Sequence, residues 1–227
     1  MNRAGELWLF DMDGTLFRSE QVAVPCFHSI LARMRAAGMD APAQVADGRI
    51  LATLGLTHDR IWRELLGRPL AKSEQEQADA WLLAEEVAAI RAGRGALYDG
   101  VPETLAALRA DGAVLAVASN GQQAYIEAIA QYFGLDRLFA GLFSAAGCRV
   151  DSKVELVRIA LSRHPHARGF MVGDRFTDIE AGLQNGLYTI GCAFGFAQAG
   201  EFAGAVRVVR QFAEILAAGG GEPALRP

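Results

Sequence analysis

Hydrophobic positions divide the chain into three stretches of different periodicity. Residues 6–11 form a nearly continuous apolar run, which is typical of a strand buried in a parallel sheet. Between about residues 20 and 93, apolar residues recur every three or four positions, and glycines and prolines separate the segments. This spacing predicts three or four packed helices and no strand. After about residue 95, short apolar runs alternate with helical segments.

The alternation after residue 95 predicts right-handed βαβ units, and hence a parallel sheet covered by helices on both faces. The predicted strands are 6–11, 113–118, 142–145, 169–172, 187–191 and a weaker one at 206–209. The predicted helices of this part are 101–110, 122–133, 153–163, 177–185 and a last one that reaches about residue 217. The Gly-rich tail, residues 219–227, is predicted to be disordered.

These patterns predict an α/β fold in which a block of helices interrupts the sheet domain after its first strand. The core is a doubly wound, Rossmann-like parallel sheet formed by residues 1–17 and 94–227. Residues 18–93 form an inserted all-α helical cap. We therefore expect a discontinuous core domain and one cap domain.

Composition narrows the class of protein. With 227 residues, of which 52% are apolar, the chain can bury a large core. A net charge of −4 and a pI near 5.6 argue against nucleic acid as a partner. No apolar stretch suits a signal peptide or a membrane span, and three widely spaced cysteines suit reduced thiols. We expect a cytoplasmic protein without membrane or nucleic-acid partners, either a monomer or a homodimer.

Polar side chains follow the predicted strands where a parallel sheet binds its ligands, beyond the carboxyl ends. Only two of the 22 basic residues are lysines, Lys72 and Lys153, and Lys153 begins the helix before the strand 169–172. Because this chain uses arginine almost everywhere else, a lysine at this position suggests that its compact ammonium group is needed there. The polar residues after the strands are Asp11 and Asp13, Ser119 and Asn120, and Asp174 and Asp178.

Four carboxylates at one point need a cation. At about 4 Å and an effective dielectric constant near 20, each pair of like charges costs about 4 kcal/mol. Mg²⁺ prefers such oxygen ligands and keeps waters that a substrate phosphate replaces. The residues thus suggest phosphoryl transfer, with Asp11 as nucleophile and Asp13 as general acid and base. Lys153 neutralises charge, and Ser119 and Asn120 offer donors to an oxyanion.

Four motifs in this order resemble those of the haloacid dehalogenase-like hydrolase superfamily, in its phosphoglycolate phosphatase-like branch with an α-helical cap. The resemblance spans nearly the whole chain and implies a Mg²⁺-dependent phosphatase that acts on a small phosphorylated metabolite through an aspartyl-phosphate. The motifs are Asp11-Met12-Asp13-Gly14-Thr15, Ser119-Asn120, Lys153, and Gly173-Asp174 with Asp178.

The resemblance also implies a role for each matched residue. It makes Asp11 the nucleophile and a metal ligand, and Asp13 the acid–base group and a metal ligand through its backbone carbonyl. The other implied roles are metal ligand for Asp174, support of the metal shell for Asp178, and phosphoryl binding for Ser119 and Lys153, with Asn120 beside them.

Two other functions remain open from the sequence. A phosphosugar isomerase of the β-phosphoglucomutase kind would return the phosphoryl group from Asp11 to the sugar. A regulatory module would bind a metabolite at a catalytically silent site. Arg18 stands where many such phosphatases carry Asp, and Val154 follows the lysine where Pro is commoner, so the substrate is not fixed by the motifs.

Overall fold

The computed structural model of the chain describes residues 2–218, so the predicted disordered tail, 219–227, lies outside the described residues. Strands and helices alternate after the first strand and a block of four helices. In chain order the elements are β1 (Glu6–Phe10), β2 (Phe17–Arg18), α1 (Glu20–Ala36), α2 (Asp47–Thr53), α3 (His58–Leu66), α4 (Lys72–Arg91), β3 (Ala96–Leu97), α5 (Val101–Ala110), β4 (Val114–Ser119), α6 (Gln123–Tyr132), β5 (Gly141–Ser144), α7 (Ala145–Cys148), α8 (Lys153–Arg163), β6 (Arg168–Gly173), α9 (Phe176–Gln184), β7 (Tyr188–Cys192), β8 (Arg207–Val209) and a final 3₁₀ helix (Phe212–Ala217).

Six strands form one parallel sheet in the order β5-β4-β1-β6-β7-β8. The first strand lies in its interior, with Leu9 opposite Ala116 of β4 and Met171 of β6. All five residues of β1 are buried, as a strand with helices on both faces requires. The predicted α/β class with a parallel sheet is confirmed.

Side chains of β1 alternate between the two faces of the sheet, and each face packs into its own core. Trp8 and Phe10 point to the larger core, where the Trp8 ring stacks on Phe170 with their centroids 4.0 Å apart. Leu7 and Leu9 point to the smaller core under α8 and α9. The strand therefore anchors both layers, which fixes the position of the residues that follow it.

The segment between β2 and β3 is helical, as the spacing predicted, and we call α1–α4 the helical cap. Its apolar positions are buried in the same core as Trp8. β2 and β3, which the sequence did not predict, pair antiparallel where the chain enters and leaves the cap, with Phe17 opposite Leu97. The division into separate core and cap domains stays a prediction.

Two local predictions were wrong. The last helix is a 3₁₀ helix, and residue 145 begins the short helix α7 instead of ending a strand. Ser144 Oγ accepts a hydrogen bond from the backbone N–H of Gly147, 2.8 Å away, and so caps α7. All three cysteines are free thiols, as expected. Within residues 2–218, none of the helices has the length and apolar character needed to cross a membrane.

Candidate active site

The predicted meeting of strand ends is observed. β1 lies between β4 and β6, so the chain after β1 emerges between the chain after β4 and the chain after β6. This neighbour relation brings Asp11 beside Ser119 on one side and Asp174 on the other. The site therefore lies at the carboxyl end of the sheet, as expected for an open parallel sheet.

Three of the predicted acids form a buried cluster with the predicted lysine. Carboxylate oxygens of Asp11, Asp174 and Asp178 lie within 4.8 Å of one another, and all three residues are buried. Lys153 Nζ lies 2.6 Å from Asp11 Oδ1 and 2.5 Å from Asp178 Oδ1. When all are ionised, three carboxylates and one ammonium carry a net charge of −2, which suits a divalent cation.

Hydrogen bonds from one backbone N–H and one side-chain hydroxyl orient Asp174. The backbone N–H of Phe196 donates to Asp174 Oδ2 at 2.6 Å, and Thr15 Oγ1 donates to Asp174 Oδ1 at 3.3 Å. Gly14 adopts φ +74°, and a Cβ there would clash with the Asp174 carboxylate. The glycine after Asp13 is thus needed both for the turn and for this close approach.

Asp178 is oriented by the start of α9. The backbone N–H of Arg175 donates to Asp178 Oδ2 at 2.9 Å, so the carboxylate occupies a free donor of the first helical turn. This contact leaves Asp178 Oδ1 to face Lys153.

Burial and mutual repulsion change the acidity of the cluster. Burial, with the nearby charges of Asp178 and Asp13, raises the pKa of Asp11 to about 7, although Lys153 opposes the shift. Burial and the charges of Asp11 and Asp178 raise the pKa of Asp174 well above its ordinary value. In Lys153, the two acids outweigh the effect of burial and raise the pKa of the ammonium. The lysine is therefore charged, whereas the acids compete for protons.

The donor set fits a hard divalent cation. Asp11 Oδ2 is buried, and among the described residues it has no hydrogen-bond partner. Oxygens of Asp174 and Asp178 lie close enough to share an ion with it. All three are carboxylates, which hard cations prefer to nitrogen or sulfur. The cluster can thus hold a metal ion.

Asp13 lies in a different environment, outside the group of three clustered carboxylates. Tyr125 Oη in α6 donates a hydrogen bond of 2.6 Å to Asp13 Oδ1. Burial raises the pKa of Asp13, and the bond from Tyr125 opposes the shift. A raised pKa suits an acid that must donate a proton near neutral pH. Metal binding through the Asp13 backbone carbonyl stays a prediction.

Ser119, which ends β4, and Asn120, which follows it, are both buried. Ser119 Oγ accepts a hydrogen bond from the Gly121 backbone N–H at 3.0 Å, which leaves its hydroxyl proton for a ligand. Asn120 Nδ2 donates to the backbone carbonyl of Gly55, in the loop between α2 and α3, at 2.9 Å. Asn120 thus joins the cap to the sheet, and phosphate binding by Ser119 and Asn120 stays a prediction.

Comparison with known proteins agrees with this geometry. A model of the haloacid dehalogenase-like hydrolase family matches residues 6–186, which include every motif described above. The chain belongs to this family. The resemblance inferred from the motifs is therefore confirmed.

Named relatives of this haloacid dehalogenase-like hydrolase include a nucleotidase, several phosphatases and a tyrosine-protein kinase. A 5′-nucleotidase of Pseudomonas aeruginosa is 29% identical over 206 residues, which cover 85% of each chain. A phosphoglycolate phosphatase of Agrobacterium fabrum is 31% identical over 199 residues, 84% of this chain and 81% of the relative. Among solved structures, CbbY from Rhodobacter sphaeroides in complex with phosphate superposes with a TM-score of 0.77 at 27% identity, and covers 96% of this chain and 98% of CbbY.

Sequence reasoning missed an arginine that links the loop after β6 of this hydrolase to the cap. The Arg175 guanidinium is buried and pairs with Glu201, with Nε 2.9 Å from Oε2. Its Nη1 donates to the backbone carbonyls of Ala52 and Leu54, at the end of α2. These partners lie far from Arg175 in the sequence. The only sequence signal for this arginine is therefore its position next to Asp174.

The hydrolase also has a small cavity between sheet and cap. It measures about 40 Å³ and opens beside Asp13 and Ser119. Tyr125 of α6 and Glu86 of α4 line it, and no pattern in the sequence marks either residue. Its walls are therefore formed jointly by the loops after β1 and β4, by α6 and by the cap.

Proposed function

We propose that this hydrolase cleaves the phosphate monoester of a small metabolite through a phosphate ester on Asp11, with Mg²⁺ held by the acidic cluster. Its family, and the phosphatases among its relatives, make the chain a phosphoric monoester hydrolase. One observation carries the finer proposal. A buried, unpartnered oxygen of Asp11 lies beside a lysine and two further acids, while Asp13 is held apart by Tyr125.

The first step is the attack of Asp11 Oδ2 on phosphorus. A bond forms between Oδ2 and phosphorus, and the bond from phosphorus to the alcohol oxygen breaks. Asp13, protonated on approach because its pKa is raised, gives its proton to the departing alcohol. Lys153 favours the ionised form of Asp11, orients it and offsets negative charge on the transferred group.

The second step returns Asp11 to its starting state. Asp13, now ionised, accepts a proton from water, and the water oxygen bonds to phosphorus as the bond to Asp11 breaks. Inorganic phosphate leaves. Asp11, Asp174 and Asp178 would hold the Mg²⁺, which when bound neutralises charge on the phosphoryl oxygens.

Phosphate release by the purified chain tests this proposal. We expect release from a panel of small phosphate monoesters with Mg²⁺ and none with excess EDTA. The D11N variant should lose turnover and form no covalent phosphate adduct in mass spectrometry. Asp99→Asn is the matched control, because that carboxylate is 98% exposed and lies outside the cluster.

Three results would contradict the proposal. Full phosphatase activity in D11N would exclude Asp11 as the nucleophile. Conversion of one sugar phosphate into another without phosphate release would instead support the isomerase, and a uniformly negative panel would support the silent module.

A further inference from the structure

Glu86, in the middle of α4, is an acid that the fold itself does not use. It is 7% exposed and lines the cavity beside Asp13. Its carboxyl group makes no hydrogen bond or ion pair with any residue from 2 to 218. Burying such a group costs free energy unless a partner compensates it, and an apolar side chain would avoid that cost. The cavity is the place where a partner can reach this carboxyl group, either water or, in a substrate complex, a ligand group.

The rest of the lining restricts what that ligand group can be. Among the described residues, no lysine or arginine lines the cavity. His58 does, but its Nδ1 lies 2.8 Å from Asp79 Oδ1, so a carboxylate already occupies it. The apolar walls come from Ala23, Phe27, Leu54, Ile61 and Leu82.

Charge and size then select the ligand. A second anion of the substrate placed in this cavity would be buried without a facing cation, and burying an unpaired charge is costly. Arg60 does not line the cavity; it lies in an adjoining open groove, where it is accompanied by Asp59 and Asp151. A volume of about 40 Å³ holds about three water molecules at roughly 10–15 Å³ each. The cavity thus suits a group of a few heavy atoms.

We propose that this cavity binds the alcohol portion of the substrate, that Glu86 hydrogen-bonds a hydroxyl group of it, and that the substrates are phosphate esters of small, uncharged, hydroxylated alcohols. This specificity rests on the proposed phosphatase function. A carboxylate accepts from a hydroxyl and a carboxylic acid both accepts and donates, so the contact forms in either state. Burial, with the charges of Asp13 and Asp79, raises the pKa of Glu86, which weakens its attraction for a cation.

Three esters with the same two-carbon chain provide the test: 2-hydroxyethyl phosphate, phosphoethanolamine and phosphoglycolate, whose far ends are neutral, cationic and anionic. We expect kcat/KM to be highest for 2-hydroxyethyl phosphate, by about tenfold or more, because only its hydroxyl pairs with Glu86 without a charge penalty. Glucose 6-phosphate serves as the oversized substrate and should be turned over poorly.

Variants of Glu86 separate its hydrogen bond from its charge. E86L removes both and should lower kcat/KM for 2-hydroxyethyl phosphate about tenfold. E86Q keeps a hydrogen-bonding group and removes the charge, so it should retain that substrate and gain activity on phosphoglycolate. The matched control is E85Q, one residue earlier on α4, where the carboxylate instead accepts a hydrogen bond from Ser29 Oγ at 3.0 Å. Its substrate ranking should stay that of the wild type.

Binding to D11N, measured by calorimetry with Mg²⁺, keeps this test independent of turnover. The three esters should bind with 2-hydroxyethyl phosphate tightest, even if no ester is hydrolysed by the wild type. The inference is overturned if phosphoglycolate or phosphoethanolamine binds or reacts as well as the neutral ester. It is also overturned if E86L leaves the ranking unchanged, or if none of the three esters binds.

Discussion

Replacing Lys153 by methionine tests whether this ammonium holds the acidic cluster together. Methionine keeps most of the side-chain volume and removes the charge. Lys153 and Asp11 side chains are each 2% exposed, and Asp178 is fully buried, so water cannot replace the lost cation. The chain provides its own control in Lys72, whose side chain is 91% exposed and whose Nζ lies 3.9 Å from Glu76.

The distances set the size of the effect. At 2.6 Å and an effective dielectric constant near 20, one ion pair is worth about 6 kcal/mol before the cost of burying the ammonium is subtracted. Removing one partner of a buried pair typically costs about 3–5 kcal/mol, and we expect K153M to lose that much in metal-free protein. An exposed pair is worth about 0–1 kcal/mol, so K72M should change little.

Urea denaturation near pH 8, followed by circular dichroism with and without Mg²⁺, measures both variants. Alkaline conditions limit proton uptake by Asp11, which would otherwise hide part of the loss. Because three uncompensated carboxylates attract a cation more strongly, Mg²⁺ should stabilise K153M more than the wild type. A loss below about 1 kcal/mol, or equal stabilisation by Mg²⁺, would refute the role of Lys153 as the internal counter-ion.

Two further predictions concern Asp11 and Asp174. In EDTA, the pKa of Asp11 is about 7 in the folded protein, against an ordinary value of 3.8. The folded state therefore holds a proton between these two pH values that the unfolded state has lost. The contribution of Asp11 to stability is thus present at low pH and is lost as the pH rises from about 4 to about 7. The free energy of unfolding of D11N minus that of the wild type should therefore increase with pH by up to about 1.4 kcal/mol per pH unit, about 4 kcal/mol in all. A difference that does not change with pH in denaturation experiments would contradict the raised pKa of Asp11. Gly14→Ala should displace the Asp174 carboxylate and lower kcat at least about 100-fold while the far-ultraviolet spectrum stays native; ordinary turnover in this variant would show that the close approach is unimportant.

The sheet and the acidic cluster were predictable because local signals define them. β1 is an apolar run that ends in an acid, and the order of strands places Asp11 beside Asp174. Lys153 was singled out by its rarity, and it does lie at the cluster. The short pair β2 and β3 was missed, because two residues carry no periodic pattern.

The missed site residues depend on contacts between distant parts of the chain. Tyr125 lies 112 positions from Asp13 and looks like any aromatic on a buried helix face. Glu86 follows another acid on a long helix with charged residues around its surface, so no pattern marks it as the buried one of the two. Such residues become part of the site only because the cap packs against the sheet in one particular arrangement. The sequence alone does not show which residues that arrangement brings together.

The buried guanidinium of Arg175 restricts how this enzyme can be re-engineered. The guanidinium donates hydrogen bonds to backbone carbonyls at the end of α2, and Arg175 directly follows Asp174 in the chain. Loosening the cap to admit bulkier esters would also free the loop that carries Asp174 and orients Asp178. We therefore expect substrate range and turnover to be coupled through Arg175. A variant with a wider substrate range should lose turnover unless the contacts of Arg175 with α2 are replaced.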